Sequence, residues 1–429
     1  GTLNDRVVMI QNTMVTFKKQ LGKNDLKDID KEKVFYLVAP NLAQIQKSAF
    51  QEYYKLRWIF VPNLRDIQSN AFVNCFSLFQ IVGQKIKIIG PNALSSCVSL
   101  SMIDLTNVMK LCDESLEYCR SLQIIVADRL ESCKAQSFSN SLGMFYVSCG
   151  QLTDSDIIQN QSRLGYIHLP LAKEIKHETK TKIKSDVDNF ADCHLVGIMP
   201  TIEELQQYRY NRQNEFQQEY LFRSNDLLNI PFSIRGLMLS QVLIIPEKAF
   251  KDQYQLLFAL CPAVRRVEAW SFEYCLSMRR LIAKNLTTIK TYAFSRCMSL
   301  TEITVQNVTH CEAYSFSCCH SLVELTFSNL EVLPDDLFDY CKGLVQVNCP
   351  KMQEVNFNAF DCDGRVNITA PIQEQLECDD NVVSDKKLLF QEVLVDEFRE
   401  RKKIVQMVQK QSLMIKLIKH TIEWIKKQQ

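Results

Sequence analysis

Cysteine and histidine are the residues with which this 429-residue chain could do chemistry, but their spacing does not favour a reaction centre. The triplet Cys318-Cys319-His320 contains possible metal ligands and a possible nucleophile. Cys112 with Cys119, and Cys362 with Cys378, have no histidine at metal-ligand spacing. The sequence contains no Gly-rich phosphate loop, His-Glu-x-x-His pair or Gly-x-Ser-x-Gly elbow. We therefore expect no catalytic residue, no metal, no cofactor and no enzyme activity.

An internal repeat accounts for the cysteines better than chemistry does. A phenylalanine or leucine, which we call the anchor, recurs every 22 residues in two series. The anchors are Phe50, Phe72, Leu94, Leu116 and Phe138, then Phe250, Phe272, Phe294, Phe316, Phe338 and Phe360. From here on, a position is the number of residues before (−) or after (+) the anchor. In Ala293-Phe294-Ser295-Arg296-Cys297 the anchor is Phe294, and the cysteine is at +3.

Most cysteines occupy repeated interior positions, where a free thiol behaves as a small apolar side chain. The cysteines at +3 are Cys75, Cys97, Cys119, Cys275, Cys297, Cys319 and Cys341. Because the total of 17 is odd and runs of parallel side chains cannot all pair, we predict reduced thiols and a cytoplasmic protein. The alternative is the cell surface, for which four Asn-x-Ser/Thr acceptors are weak evidence.

The apolar positions of one repeat define one coil of a solenoid. Positions −5, −1, +6, +9 and +11 stay apolar, and the alternation at +9 and +11 predicts a strand. The three-residue spacing of Ala-Phe-x-x-Cys-x-x-Leu predicts a single helical or 3₁₀ turn. Asparagine at +13 predicts the turn between the strand and the return path. Stacked coils would pair their strands in parallel and align the anchors in an interior column.

This pattern resembles the BspA-type (treponemal) leucine-rich repeats. The intact form stands at Ala293-Phe294-Ser295-Arg296-Cys297-Met298-Ser299-Leu300-Thr301-Glu302-Ile303, with a variant at Ala71-Phe72-Val73-Asn74-Cys75. The resemblance implies a right-handed α/β leucine-rich-repeat solenoid with parallel strands. Such repeats occur in bacterial surface proteins and, in large expansions, in anaerobic protozoa. The resemblance also implies protein binding or adhesion, and it supplies no catalytic motif.

The repeat register divides the chain into five predicted parts. Residues 1–37 are expected to form a helical cap, with an amphipathic helix from Val7 to Gln20. Repeat arrays are expected over 38–150 and 241–372. Between them, residues 151–240 should contain degenerate repeats and a helical insert that begins near Thr201. One unbroken, locally distorted solenoid is the alternative to two arrays.

The C-terminal part, 373–429, is predicted to contain one long amphipathic helix, since residues 385–429 have neither Gly nor Pro. It could cap the last coil, form a coiled coil that joins two chains, or lie on a membrane as a basic helix. Self-association is our preferred role. Its apolar stripe consists of Ile404, Val408, Ile415, Ile418, Ile422 and Ile425.

The strand residues at +8 and +10 should point away from the core and form the concave face. In the first array this face is largely apolar, which is typical of an interaction site. The predicted protein-binding residues are Trp58, Phe60, Val82, Met102, Ile124, Val126 and Tyr146. Alternatively, the helical insert or the C-terminal helix lies across this face. The second array has a more polar face and should be solvated.

The predicted function is therefore a non-catalytic scaffold that binds an unidentified protein. A cell-surface adhesin and a membrane-peripheral scaffold are the alternatives. With 50 basic against 49 acidic residues, the charge predicts no nucleic-acid partner, and a membrane surface is not favoured.

Overall fold

The computed structural model is a β-solenoid of about 14 parallel coils with few helices. It describes residues 6–153, 156–158, 161, 164–172, 200, 202–207, 220–231, 234–353, 356–360, 365–371, 376–378, 381–384, 406 and 410. The predicted leucine-rich-repeat solenoid with parallel strands is confirmed, whereas the predicted α/β class is not, because the described coils contain few helices.

Each regular coil contributes a main strand at +8 to +10 and a short strand at −6 and −5. Most main strands pair in parallel with those of neighbouring coils, as Trp58 pairs with Gln80 and Gln80 with Met102. The ladder is interrupted between Met102–Ile103 and Ile124–Val126, and between Glu302–Ile303 and Glu324–Thr326. The N-terminal coils have main strands Tyr36–Val38, Trp58–Phe60, Gln80–Val82, Met102–Ile103, Ile124–Val126, Tyr146–Ser148 and Tyr166–His168. The C-terminal coils have Leu221–Phe222, Gly236–Met238, Phe258–Leu260, Arg280–Ile282, Glu302–Ile303, Glu324–Thr326, Gln346–Asn348, Asn367–Thr369 and Asn381–Ser384. The short strands are Gln20–Leu21, Gln44–Ile45, Asp66–Ile67, Ile88–Ile89, Lys110–Leu111, Ile244–Ile245, Arg266–Val267, Thr288–Ile289 and His310–Cys311.

The anchors form the predicted interior columns. The rings of Phe50 and Phe72 stack with centroids 5.2 Å apart, and those of Phe272 and Phe294 stack at 5.4 Å. All of these rings are fully buried. Parallel pairing of neighbouring strands spaces coils by roughly 4.8 Å, which is the separation at which planar rings stack with an offset.

The +3 cysteines are hydrogen-bond donors as well as apolar fillers. The Cys297 Sγ–H donates to the Phe272 carbonyl at 3.2 Å, and the Cys75 Sγ–H donates to the Phe50 carbonyl at 3.0 Å. In one coil a serine replaces the cysteine, and the Ser141 hydroxyl donates in the same way to the Leu116 carbonyl at 2.8 Å. The side chain at +3 therefore ties each coil to the coil before it.

Turn chemistry at the coil corners follows the prediction at +13. The Asn63 amide donates to the Pro40 carbonyl at 2.7 Å, one coil earlier. The segment around the anchor is mostly a series of turns rather than a helix, because residues at −2 and +2 adopt positive φ, as Asn70 (58°) and Asn74 (61°) do. Regular 3₁₀ turns form at Ala135–Phe138 and Phe357–Ala359, and also at Lys31–Lys33 and Asp156–Ile158.

The expected N-terminal helix is wrong. Strands Val7–Ile10 and Thr13–Thr16 form an antiparallel hairpin, and the second strand pairs in parallel with Tyr36–Val38. The alternation of Val7 and Met9 toward the core with Val8 and Ile10 toward solvent has a strand period. Gln11 supplies the positive φ of 52° that the hairpin turn requires. The hairpin caps the first coil, and one helical turn, Lys23–Leu26, follows it.

Within the described residues no long helix is found. After the N-terminal cap, the described α-helical residues are Ile202–Gln206 and a few single residues. The predicted C-terminal helix and its stripe, Ile404 to Ile425, fall outside the described residues, as does the stretch at 208–219. The degenerate coil at Ile158, Leu164 and Ile167 is present and buried. A second hairpin, Leu376–Cys378 with Asn381–Ser384, ends the described sheet.

The division into two separate arrays is not supported, because the N-terminal and C-terminal coils pack directly on each other. Their hydrophobic interiors are distinct clusters, one from Met14 to Leu169 and one from Phe222 to Val383. Yet side chains at +4, +5 and +7 of both sets of coils meet along one line, which we call the seam. The seam is described in detail below because it positions the candidate site.

Candidate functional site

The outward face of the main strands consists of two rows of side chains, and both extend into the N-terminal hairpin. The strand registers align Thr13, Tyr36, Trp58, Gln80 and Met102 in the +8 row. Val15, Val38, Phe60 and Val82 are aligned in the same way in the +10 row. The predicted concave face is thus a continuous surface of mainly apolar residues.

This face is not open along its whole length. Trp58 and Phe60 keep only 5% and 7% of their surface exposed, because they pack with Val38 and with Phe79 at +7. Tyr146 is buried in an aromatic cluster with Tyr166. For these three predicted binding residues the expectation of exposure is wrong: large neighbouring side chains on the same face cover one another.

The centre of the face is open. Met102 is 38% exposed, and Val82, Ile124 and Val126 are half-buried. These are the four predicted binding residues that a partner could reach. Whether a partner does bind them remains a prediction.

In the C-terminal coils, part of the equivalent face is covered by the helical insert. Leu205 of helix Ile202–Gln206 is fully buried against Phe258, Leu260 and Ile282. The insert therefore lies on the strand face of the C-terminal coils, whereas the alternative considered from the sequence placed it over the first array. The prediction of a solvated face in the second array is wrong for Phe258, Leu260 and Ile282. Further along, the outward face is polar. Its half-buried residues are Glu302, Thr304, Glu324 and Thr326, and Gln346 in the next coil is fully buried.

The seam is built from serine or glycine at +5. The Ser99 hydroxyl donates to the Met298 carbonyl at 3.0 Å, and the Ser321 hydroxyl donates to Ser99 Oγ at 2.9 Å. One coil along, the Ser299 hydroxyl donates to Ser121 Oγ at 2.7 Å. Each buried hydroxyl in these pairs therefore has a partner, which a polar group removed from water requires.

The seam has approximate two-fold symmetry. Both sets of coils carry three serines followed by a glycine at +5, and the two series face each other in opposite order. The first series is Ser77, Ser99, Ser121 and Gly143, and the second is Ser277, Ser299, Ser321 and Gly343. A Cβ atom on Gly343 would lie 1.9 Å from the His320 carbonyl oxygen and 2.7 Å from Ser77 Oγ, so only glycine fits at this position.

Cations at +7 fasten the seam from one side. The Arg279 guanidinium lies over the Phe79 ring, 4.3 Å from its centroid. Arg235 lies 22 residues before Leu257, the +7 residue of the next coil, and so occupies the equivalent position. Its guanidinium lies 4.1 Å from the centroid of the Phe145 ring. Arginine stacks well on aromatic faces, and such contacts gain strength when they are shielded from water.

His320 lies on the other side of the seam and explains the Cys-Cys-His triplet. Its ring stacks on Phe76, with centroids 4.9 Å apart. Burial, with Lys342 and Arg120 nearby, lowers the pKa of His320 to about 3, so its imidazole is neutral. Cys319 donates to the Phe294 carbonyl, and burial raises its pKa. The triplet is therefore part of the packing.

Most of the other cysteines that the structure describes are likewise buried. Burial raises the pKa of the Cys261 thiol to about 12 and that of Cys349 to about 12. The fourteen cysteines whose side chains are described are free thiols, and no group of metal ligands is found among the described residues. Nor does any described helix have the length and apolar character to cross a membrane.

Sequence reasoning missed the seam. Met102 and Glu324 each lie three residues after the hydrogen-bonded serines Ser99 and Ser321. The main strands of the two sets of coils therefore begin at equivalent sequence positions relative to the seam. The one signal in the sequence is the recurrence of serine at +5, a position that faces neither the core nor the strand face.

The repeat has counterparts in known proteins. The profile of the BspA type leucine rich repeat region matches residues 31–144 and 240–366, with six copies, which is more than half of the chain. No curated protein sequence matches.

Solved structures similar to this chain include three bacterial proteins. A leucine-rich repeat protein from Bacteroides ovatus is 19% identical with a TM-score of 0.29, over 84% of this chain and 85% of that one. A leucine rich cell surface protein from Faecalibacterium prausnitzii is 18% identical with a TM-score of 0.30, over 86% and 93%. An internalin from Listeria monocytogenes is 12% identical with a TM-score of 0.26, over 82% and 94%.

Proposed function

The chain belongs to the BspA-type leucine-rich repeat family, and we propose that it is a non-catalytic scaffold that binds a protein partner through the outward face of its main strands. Leucine-rich repeat proteins generally mediate protein–protein interaction. The observation that carries the proposal is the open centre of the strand face, where Met102 is exposed beside Val82, Ile124 and Val126. Apolar side chains on a solvent-exposed strand face are typical of an interaction site.

The rigidity of this surface supports the proposal. The strand that carries Ile124 is hydrogen-bonded to the next main strand, and Ser121, three residues before it, is buried in the seam. The strands of Met102 and Ile124 are not paired with each other, but the seam serines Ser99 and Ser121 hold both coils. A partner would therefore lose little free energy in ordering this surface.

A capture experiment tests the proposal. Full-length chain carrying Met102→Glu and Ile124→Glu is compared with wild type for capture of partners from native lysate, with identification by mass spectrometry. The control carries Ile88→Glu and Met109→Glu, which replace exposed apolar residues outside the main-strand face; they are 43% and 39% exposed, against 38% for Met102 and a half-buried Ile124. We expect a partner that is retained by wild type and by the control and lost from the strand-face variant. Equal capture by all three would refute the proposal, provided that circular dichroism shows each to be folded.

We also propose that the C-terminal stripe mediates self-association, as its sequence pattern predicts. The test is the molar mass of the full-length chain in solution, measured by light scattering, with and without Ile415→Glu and Ile422→Glu. A wild type that is monomeric at all concentrations would reject this role. Location in the cytoplasm, attachment to a cell surface and contact with a membrane stay predictions of the sequence.

A further inference from the structure

We propose that a groove at one corner of the N-terminal coils binds a phosphate monoester. The residues that line the groove lie in turns and at the ends of short strands, and none of them belongs to a main strand. The proposal therefore concerns a different surface and a different ligand from the protein partner proposed above, and it does not depend on that function.

The groove has a volume of about 240 Å³ and is open to solvent. The described residues that line it are three cations and two amides: Arg65, Lys85, Lys87, Gln84 and Asn107. Since a water molecule takes up about 30 Å³ in the liquid, the groove has the space of about eight waters. It can therefore hold a phosphate group together with part of the molecule that carries it.

Two of the cations lie side by side. The short strands pair Asp66 with Ile88, and the Lys87 N–H donates to the Arg65 carbonyl at 2.8 Å. Arg65 and Lys87 therefore occupy the same position in neighbouring coils, which parallel pairing spaces by roughly 4.8 Å. Like charges directly opposite each other on paired strands are unfavourable. A bound anion between the two side chains would replace this repulsion by attraction.

The third cation is held close to this pair. The Lys85 ammonium donates to Asn63 Oδ1 at 2.7 Å, and Asn63 lies two residues before Arg65. The bond directs Lys85 toward the coil that carries Arg65. Because an ammonium has three N–H donors, Lys85 keeps donors for a ligand while it is bonded to Asn63.

Within the part of the chain that the structure describes, no carboxylate neutralises these cations. Arg65, Lys85 and Lys87 form no ion pair with a described residue. Asp66 is next to Arg65 in sequence, but its carboxylate accepts a hydrogen bond from the Gln44 amide of the preceding coil at 2.7 Å. The groove therefore has a local positive charge, although the whole chain is nearly neutral.

The C-terminal coils do not repeat the pair of cations. Arg265 is in the position equivalent to Arg65, counted from the anchors Phe272 and Phe72. Opposite it, however, Thr287 replaces the lysine, and the Thr287 hydroxyl donates to the Arg265 carbonyl at 3.0 Å. The paired cations are thus a feature of one set of coils and are not required by the repeat.

A phosphate monoester matches the groove in charge and in hydrogen-bonding groups. It carries a charge of about −1.5 to −2 near pH 7 and three acceptor oxygens. The Arg65 guanidinium can hold two of these oxygens at once, and the lysines supply point charges. Ile88 and Met109 follow Lys87 along the strand and in the next coil, and both are exposed, so they offer an apolar contact to the carrier of the phosphate. A soluble ester and a phospholipid headgroup share this chemistry.

Calorimetric titration of the full-length chain tests the site. The probe is glucose 6-phosphate, and glucose is the uncharged control. We expect the ester to bind at least about tenfold more tightly than glucose, because only the ester can contact the cations through its phosphate, and this preference should decrease as salt screens the charges. Co-sedimentation with phosphatidylcholine vesicles, with and without phosphatidic acid, tests the lipid as the source of the phosphate.

Two matched variants locate the binding. Arg65→Gln with Lys87→Gln should weaken the binding of glucose 6-phosphate about fivefold or more, given the modest worth of exposed ion pairs. The control is Arg265→Gln with Lys284→Gln, two exposed cations of the C-terminal coils, and it should change the affinity less than about twofold. Both variants remove two positive charges, so an effect of net charge alone would be the same in each.

The outcomes separate the site from its source of phosphate. Absence of ester binding, equal binding of glucose, or equal losses in the two variants would overturn the proposal, once circular dichroism shows that both variants are folded. Binding of glucose 6-phosphate without sedimentation on phosphatidic acid supports the site with a soluble ligand. Sedimentation that needs phosphatidic acid and is lost only in the Arg65→Gln/Lys87→Gln variant supports the site with a lipid headgroup.

Discussion

The hydrogen bonds between Ser99 and Ser321 give the sharpest test of the seam. Ser99 accepts from the Ser321 hydroxyl at 2.9 Å and donates to the Met298 carbonyl at 3.0 Å. Ser99→Ala leaves the buried Ser321 hydroxyl without its acceptor, while the Met298 carbonyl still accepts from the Ser321 N–H at 3.1 Å. With two hydrogen bonds lost, we expect a decrease of about 2 kcal/mol in the free energy of unfolding. Ser321→Ala removes one neutral hydrogen bond and should cost about 1 kcal/mol.

The double variant distinguishes a true contact from two unrelated losses. With both serines replaced, no hydroxyl is left without a partner and the Met298 carbonyl still accepts from the residue 321 N–H. The total loss should therefore not exceed that of Ser99→Ala, about 2 kcal/mol, and the coupling energy should be about 1 kcal/mol. Urea unfolding followed by circular dichroism supplies the free energies. The control pair is Ser99→Ala with Ser141→Ala; Ser141 bonds within its own set of coils, and its effect should add. Additive losses for Ser99 and Ser321 would refute the seam as described.

Three other substitutions probe the packing that surrounds the site. Because the pKa of His320 is lowered to about 3, the unfolded chain binds its proton first as pH falls, and stability decreases below about pH 6.5. His320→Phe should therefore flatten the decline between pH 6 and pH 4 by up to about 1.4 kcal/mol per pH unit, measured by urea unfolding, and an unchanged slope would contradict this. Cys297→Ala should cost about 1–2 kcal/mol and Cys297→Ser less, because serine keeps a donor to the Phe272 carbonyl; the reverse order would contradict the donor role. Leu205→Ala should cost about 2–3 kcal/mol and accelerate proteolysis near residue 205, whereas an unaltered cleavage rate would mean that Leu205 does not fasten the insert.

Most of the coil could be predicted because its determinants recur every 22 residues. Phe294, Cys297 and Leu300 are interior in every coil of this type, so one repeat informs the next. Asn63 and its equivalents likewise mark a turn whose geometry is local. The N-terminal hairpin has no such recurrence, and over Val7 to Gln20 the apolar spacing fits a helix as well as strands.

The candidate site could be predicted only in part, because periodicity within a coil does not show what lies beside it. Val82, Met102, Ile124 and Val126 are on the accessible face as expected. Trp58 and Tyr146 have the same register, but the neighbouring side chains of Phe79 and Tyr166 bury them. The seam depends on contacts between residues about 200 positions apart, such as Ser99 with Ser321, which no local pattern encodes.

The seam also has a mechanical consequence. In a simple solenoid each coil touches only its neighbours, so the structure can bend like a spring and can unfold from its ends. Here Ser99 and Ser121 are hydrogen-bonded to Ser321 and Ser299 of the C-terminal coils, so the two sets of coils stabilise each other along the seam. Bending would have to slide one set along the other and break these bonds together. The main-strand face should therefore keep its shape under load, and force applied along the chain should release both sets of coils in one cooperative step.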